Sequence, residues 1–419
     1  MNSRMLNSST LITELSNSHG NTRDYTEKSL LRHLLFRVFL CASVAKIFVF
    51  IRLKQYLKPV GSGTNPLRKP PPLPAHLFII LLLSLAASAC SQDHDDAFHD
   101  QFFAFGTLID LTLYGVDPAT ARQASERIEQ DFQDMHNSWH AWQASDLTRI
   151  NEQLATRKTA TADDSILSMI AEADRLSLQS NGLFNPVIGE LIALWGFHDN
   201  PLPIGTLPDK DTLNRLVAQR PSADDITIEG NRISTRNPAV RYDLGAFAKG
   251  YAIDRAVERL RELGIGNAIV NAGGDLRAIG RHGDRPWRIG IRHPRQPGIL
   301  ASVEIEGDTS VFTSGDYERF FEVDGIRYHH IIDPRSGYPA DRTASVTVIH
   351  GNAATADAAA TALFVAGPDE WSSVASRMGI KYVMLIDTDG IIHMNPAMQA
   401  RIRFEPETNA VIRLSEPLP

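Results

Sequence analysis

Hydrophobic positions recur with clear periods along the middle of this chain, and the periods divide it into strands and helices. Residues 103–114 alternate well enough between apolar and polar to form a strand. Over residues 118–139, Ala121, Ala124, Ile128, Phe132, Met135 and Trp139 recur at steps of three and four, which predicts an amphipathic helix. A second helix is expected over 165–179. There Ile166, Met169, Ile170 and Ala173 face inward, Asp163 or Asp164 can cap the start, and Asn181-Gly182 can stop it. A third runs from Ala246 to Leu263 and ends at Gly264. Residues 267–271 read as a buried strand, and 285–292 and 300–305 as further alternating strands. Residues 355–365 read as a short Ala-rich helix, and 382–386 with 390–394 as a terminal hairpin. No regular βαβ alternation and no internal repeat is present, so the pattern predicts an α+β fold rather than a doubly wound sheet. Gly264-Ile265-Gly266 is no dinucleotide fingerprint. Its third glycine is missing, and it leads out of a helix into a strand, the reverse of what that motif needs.

The N-terminal pattern is of another kind. Residues 68–90 place Arg68 and Lys69 before an apolar run from Leu77 to Leu85, followed by small residues up to Cys90. The run is short for a bilayer span and reads as the apolar core of a signal peptide. Its ending, Ala87-Ser88-Ala89-Cys90, resembles a bacterial lipobox, in which the cysteine is lipidated; an uncleaved signal anchor is the alternative. Upstream, residues 38–51 form a second apolar stretch, interrupted by Lys46. Residues 1–67 are therefore expected to be an over-extended start, or else a disordered or membrane-associated extension. The expected organisation is 1–67 extension, 68–89 lipoprotein signal peptide, 90–100 polar tether, and 101–415 one catalytic domain.

Charge separates the same parts. Residues 1–89 carry 11 Lys+Arg and 3 Asp+Glu; subtraction from the totals of 42 and 49 leaves 31 and 46, a net charge of about −15 with His neutral. So acidic a body is a poor partner for nucleic acid, since it offers nothing to replace phosphate counterions. A phosphate ligand would need a metal or a local pocket. The two cysteines, Cys41 and Cys90, both lie in the N-terminal quarter, which leaves no disulfide framework or thiolate metal site in the body.

Four clusters carry chemistry that a plain core does not require. In Tyr242–Tyr251, Lys249 falls in the first turn of the third helix, where the macrodipole disfavours a cation. It either faces a bound anion or is solvated beside Asp243 or Asp254. Asn271-Ala272-Gly273-Gly274-Asp275 follows a strand; its glycines allow close backbone approach or simply make a tight turn. Thr313-Ser314-Gly315-Asp316-Tyr317 precedes a histidine pair. If residues 326–332 form a strand, Ile326, Tyr328, His330 and Ile332 share a face, making His330 a core histidine or a general base. Asp357 and Thr361 lie one helical turn apart among alanines. They leave room for a hard cation, or Thr361 bonds back to the Asp357 carbonyl.

Taken in order, these clusters resemble the ApbE family of FAD:protein FMN transferases. The resemblance spans roughly residues 103–400. It includes Gly106-Thr107, Ser145-Asp146-Leu147-Thr148-Arg149-Ile150-Asn151, Gly182-Leu183-Phe184-Asn185-Pro186, Leu194-Trp195-Gly196-Phe197, and the closing D-x-x-A-T pattern at Asp357, Ala360 and Thr361. It implies an ApbE-like (T-fold-like) α+β unit of mixed and antiparallel sheets. It also implies Mg²⁺ on the Asp357 and Thr361 side chains with the Ala246 and Ala360 carbonyls, and FAD against Phe105, Trp142, Leu183, Phe184, Asn185, Asp243, Lys249 and the Ile331 region. Gly273, Gly274 and Asp275 join that expected FAD site, with Lys249 and His330 as the catalytic pair. The implied acceptor is a Thr or Ser of a target protein, such as a flavin-bearing subunit of a membrane redox complex, with AMP released. Three departures stand out. Asn185 replaces a usual acidic residue, Phe105 a usual Met, and Ser138-Trp139-His140-Ala141-Trp142 a usual Ser-x-Tyr.

Overall fold

The computed structural model describes residues 97–199, 202, 206–406 and 408–419; the signal peptide, Cys90 and the first part of the tether lie outside them. In chain order the elements are β1 (Ala97–Ala104), β2 (Thr107–Tyr114), α1 (Pro118–Ser138), α2 (Asp146–Ala155), β3 (Ala160–Thr161), α3 (Asp164–Gln179), α4 (Gly189–Leu194), α5 (Lys210–Gln219), β4 (Ile226–Glu229) and β5 (Arg232–Thr235). Then follow α6 (Ala248–Glu262), β6 (Ala268–Ala272), β7 (Asp275–Ile279), β8 (Trp287–Arg292), β9 (Ile299–Ile305), β10 (Thr309–Gly315), β11 (Phe320–Val323) and β12 (Ile326–His329). The chain closes with β13 (Thr343–His350), α7 (Ala353–Met378), β14 (Tyr382–Asp387), β15 (Ile392–Met394), α8 (Pro396–Gln399), β16 (Ile402–Phe404) and β17 (Ile412–Leu414).

A nine-stranded sheet, ordered β1-β2-β6-β7-β10-β13-β14-β15-β17, organises the molecule. Its pairs are antiparallel except β15 with β17. This is the expected α+β class. Both faces of the sheet are covered, so central strands such as β7 and β13 are buried along nearly their whole length rather than on alternate residues. Val346 and Val348 of β13 pack toward the helices with Ala356, Leu363 and Phe364, whereas Ile349 joins Trp287 and Val303 in a second cluster. No helix among the described residues is long and apolar enough to cross a membrane.

Several elements differ from the sequence reading. The single strand over 103–114 is in fact a hairpin, broken at Phe105-Gly106, whose φ angles are 50° and 74°. Two central residues with positive φ match the twist of the flanking strands, but a Phe in that conformation gives no alternation signal. Residues 97–100 belong to β1, so the tether ends earlier than expected. Asp163 takes the N-cap position of α3 without a side-chain cap bond. α6 begins at Ala248 rather than Ala246. The helix expected over 355–365 extends to Met378, because Gly367 (φ 71°) and Pro368 kink it without ending it. The hairpin near the end is present as β14–β15, yet it is followed by α8, β16 and β17.

Candidate active site

The floor of the site is the contact between α6 and α7. Gly250, in the first turn of α6, donates its N–H to Asp357 Oδ2 at 2.9 Å. A Cβ at Gly250 would overlap the Ala353 backbone, so the two helices approach as closely as they do because that position is glycine. One turn further along α6, Asp254 accepts from Ala353 N (2.8 Å), Ala354 N (2.9 Å) and Asn352 Nδ2 (2.6 Å), and it pairs with Arg277. Its carboxylate therefore satisfies the free N–H groups that begin α7 and meets the positive end of that helix. With the helices locked, Lys249, Asp357 and Thr361 face one cavity of about 580 Å³. Asp357 is 5 % exposed. Burial raises its pKa to about 7, against the lowering effect of Lys249.

Lys249 does not pair with Asp243 or Asp254, the two partners its sequence neighbourhood offers. It pairs with Asp275, which the Gly273-Gly274 turn between β6 and β7 brings across. Burial alone would lower the lysine pKa; the Asp275 and Asp357 carboxylates outweigh burial and keep the ammonium charged. Asp275 is itself held, its Oδ1 accepting from Thr313 N at 2.9 Å. Gly273 has φ 66°, and a Cβ there would collide with the Thr107 side chain. The two readings of this glycine pair both hold: it is a tight turn, and it lines the cavity with Phe105, Gly106 and Thr107. On β10, Ser314 Oγ lies 3.4 Å from Thr361 Oγ1, which adds a second hydroxyl beside the carboxylate.

The mouth is aromatic. Trp142, 45 % exposed, stacks on His198 with ring centroids 4.2 Å apart and planes at 16°. His198 Nε2 lies 2.7 Å from Asp243 Oδ2, and Asp243 Oδ1 accepts from Gly245 N at 2.9 Å. Asp243 is thus a clamp on the mouth rather than a partner of Lys249. Leu183, Phe184 and Asn185 form the adjoining wall. The Asn185 amide is engaged with Pro221 O and Val187 N at 3.0 Å each, so the residue shapes its loop as well as the cavity.

The histidine pair separates in an unexpected way. β12 stops at His329, so the alternation projected to Ile332 is lost, and Ile331 and Ile332 are both buried. His329 is the satisfied core histidine. Its Nε2 lies 2.7 Å from the Ala340 carbonyl and its Nδ1 accepts from Ile331 N. His330 lines the cavity instead. Burial, then His329, lowers its pKa to about 3, so it is neutral at ordinary pH. Its Nδ1 lies 3.3 Å from the Arg319 carbonyl, which can only accept. Nδ1 therefore carries the proton, and Nε2 keeps a lone pair free to take one.

Among the described residues, the site residues expected from the sequence thus converge on one cavity, apart from Ala360. Ala246 lines it; Ala360 is buried in α7 outside the lining. Among the described residues no three His, Cys, Asp or Glu side chains group as a metal cage. One buried carboxylate with neighbouring hydroxyls still suits Mg²⁺, which binds through one or two carboxylates and leaves positions for water and substrate phosphate. Sequence reasoning missed His198 and Arg319 in the wall, because a lone histidine after Trp-Gly-Phe and an arginine in a turn carry no periodic or spacing signal.

Fold and cavity together define an α+β protein with an aromatic mouth, an oxygen-rich floor and a neutral histidine in its wall, suited to a ring-bearing phosphate ligand. The ApbE family model matches residues 105–384, and the chain belongs to the ApbE family. It is similar to the FAD:protein FMN transferase of Rhodobacter capsulatus, with 40% identity over 303 residues covering 72% of this chain and 58% of that protein. This chain therefore matches little more than half the length of that relative. The FAD:protein FMN transferase of Vibrio cholerae is 35% identical over 276 residues, covering 65% of this chain and 81% of that one. Among solved structures, the ApbE protein of Thermotoga maritima superposes with a TM-score of 0.67 at 31% identity, covering 73% of this chain and 99% of that chain. The flavin transferase ApbE of Vibrio cholerae gives 0.64 at 29% identity, covering 73% and 99%.

Proposed function

We propose that this chain transfers FMN from FAD to a Thr or Ser hydroxyl of a target protein and releases AMP. The observation that carries the reading is the meeting of Asp357, Thr361, Lys249 and His330 in one cavity with an aromatic mouth, within a family whose relatives bear that activity in their names. The acceptor oxygen attacks the phosphorus of the FMN half. The bond from that phosphorus to the bridging oxygen breaks, and AMP leaves with the bridging oxygen. The acceptor proton goes to His330 Nε2. A buried imidazole of low basicity gains proton affinity as the anionic pyrophosphate settles beside it. Lys249 offsets the same negative charge from the floor, and Trp142 offers a ring face at the mouth.

Asp357 and Thr361 would hold Mg²⁺, with the Ala246 carbonyl beside them. When bound, the ion neutralises charge on the pyrophosphate oxygens and makes the phosphorus easier to attack. Incubation of the protein with FAD, Mg²⁺ and an acceptor protein should give a fluorescent acceptor band on a denaturing gel. Free FMN and AMP without a band would mean that water is the acceptor and the enzyme an FAD pyrophosphatase; bound but unreacted FAD would mean a flavin-carrying protein. Asp357→Ala should abolish transfer, and unchanged activity at saturating Mg²⁺ would sink the metal assignment.

The site is further proposed to work at the cell envelope, anchored through lipid on Cys90 and facing the periplasm. The lipobox-like Ala87-Ser88-Ala89-Cys90 supports this. Mass spectrometry of the mature N-terminus checks it, with a diacylglyceryl cysteine at position 90 expected.

A further inference from the structure

Arginines in this fold are generally matched by carboxylates. Arg277 pairs with Asp254 and Asp308, and Arg295 with Asp316. Arg319 is different. Its Nη2 donates to the backbone carbonyl of Asp199 at 2.7 Å, its Nε is buried without a hydrogen-bond partner, and among the described residues no carboxylate forms an ion pair with it. Burial lowers its pKa, opposed by the field of Asp199. An unmatched cation with an orphaned donor is costly to keep in a protein wall, and native structures hold such groups where a ligand completes them.

The place of Arg319 says which ligand. It lines the same cavity as Lys249, Asp357 and His330. Its carbonyl also accepts the His330 backbone N–H at 3.0 Å and faces His330 Nδ1 at 3.3 Å. An anion held by the guanidinium therefore sits against the segment that carries the neutral imidazole. Lys249 is already matched by Asp275, which leaves Arg319 as the uncompensated cation of that wall.

We propose that Arg319 is an oxyanion anchor, taking a phosphate or carboxylate oxygen of a bound molecule and fixing it beside His330. The inference rests on the reading of the cavity as a flavin-nucleotide site, and the oxyanion has two possible sources. One is a phosphate of FAD; the other is an acidic side chain of the acceptor segment. A guanidinium suits either, since its fork of donors matches both groups.

Arg319→Met, similar in length and uncharged, tests this together with Arg319→Lys. FAD affinity is read by quenching of flavin fluorescence, and acceptor KM at saturating FAD. A rise of at least tenfold in the Kd for FAD places a phosphate on Arg319. An unchanged Kd with at least a tenfold rise in acceptor KM places an acceptor carboxylate there. Arg319→Lys should recover part of whichever is lost. Without ligand, Arg319→Met should melt at or above the wild-type temperature, because it removes a partly buried cation whose Nε has no partner. A lower melting temperature with FAD Kd and acceptor KM both within twofold would show a structural arginine and overturn the proposal. Wild-type protein that does not quench flavin fluorescence at all would overturn the functional reading along with it.

Discussion

His329 and His330 are adjacent in sequence and opposite in use, and the reason lies in one lost strand position. Because β12 ends at His329, that ring turns into the core and saturates both nitrogens, while the next ring reaches the cavity with one lone pair unspent. His330→Ala should lower transfer at least tenfold while FAD still binds, since positioned bases typically contribute ~10²–10⁴-fold. Single-turnover rates with prebound FAD check this. Asp357 and Thr361 were legible because a four-residue step on a helix fixes their common face. His198 was not, since its partner Asp243 lies 45 residues away. A further buried carboxylate has a bearing on pH. Asp174 accepts from Tyr242 Oη at 2.8 Å, and burial raises its pKa to about 7. The folded state therefore holds this proton more tightly than the unfolded chain, whose Asp titrates near ~4. Its contribution to stability is full below about pH 4 and is lost as pH rises toward 7, by an amount on the order of 2–4 kcal/mol. Asp174→Asn should flatten this part of the pH dependence in urea melts, and an unchanged slope would count against the buried proton.

Among elements, the pairing of α6 with α7 decides the geometry of the floor. The sequence pattern placed both helices but could not say that they touch, because the contact depends on the absence of a side chain at Gly250 and on a carboxylate, Asp254, serving a helix start about 100 residues away. Gly250→Ala should destabilise the fold by about 1–3 kcal/mol through overpacking. It should also weaken Mg²⁺ dependence more than FAD binding, because the displaced group is Asp357. Denaturant melts and Mg²⁺ titrations separate the two effects. The strands were legible where one face is apolar. The β1–β2 break at Phe105-Gly106 was not, since its turn is set by backbone angles that an aromatic residue rarely adopts.

The molecule as a whole is an acidic body whose cavity wall mixes Lys249 and Arg319 with carboxylates such as Asp275 and Asp357. With about −15 net charge beyond residue 89, it would repel an anionic dinucleotide at long range, while the proposed contacts of Lys249 and Arg319 would attract it at close range. Salt screens the first effect more than the second, given a Debye length of about 10 Å at 0.1 M. Association of FAD should therefore speed up as ionic strength rises from about 10 to 150 mM, the reverse of an electrostatically steered ligand. Stopped-flow flavin quenching reads the sign directly.

The large sheet has one more property. Its strands are hydrogen-bonded in the order in which they occur along the chain, from β1 to β17. A polypeptide emerging from its N-terminus can thus extend the sheet at one growing edge, never reopening a pair to insert a later strand, and domains commonly fold as units during synthesis. The aromatic mouth and the glycine turn would be in place while α7 is still unmade. The mouth residues then precede Asp357, the carboxylate that completes the floor, which is added only after most of the sheet exists.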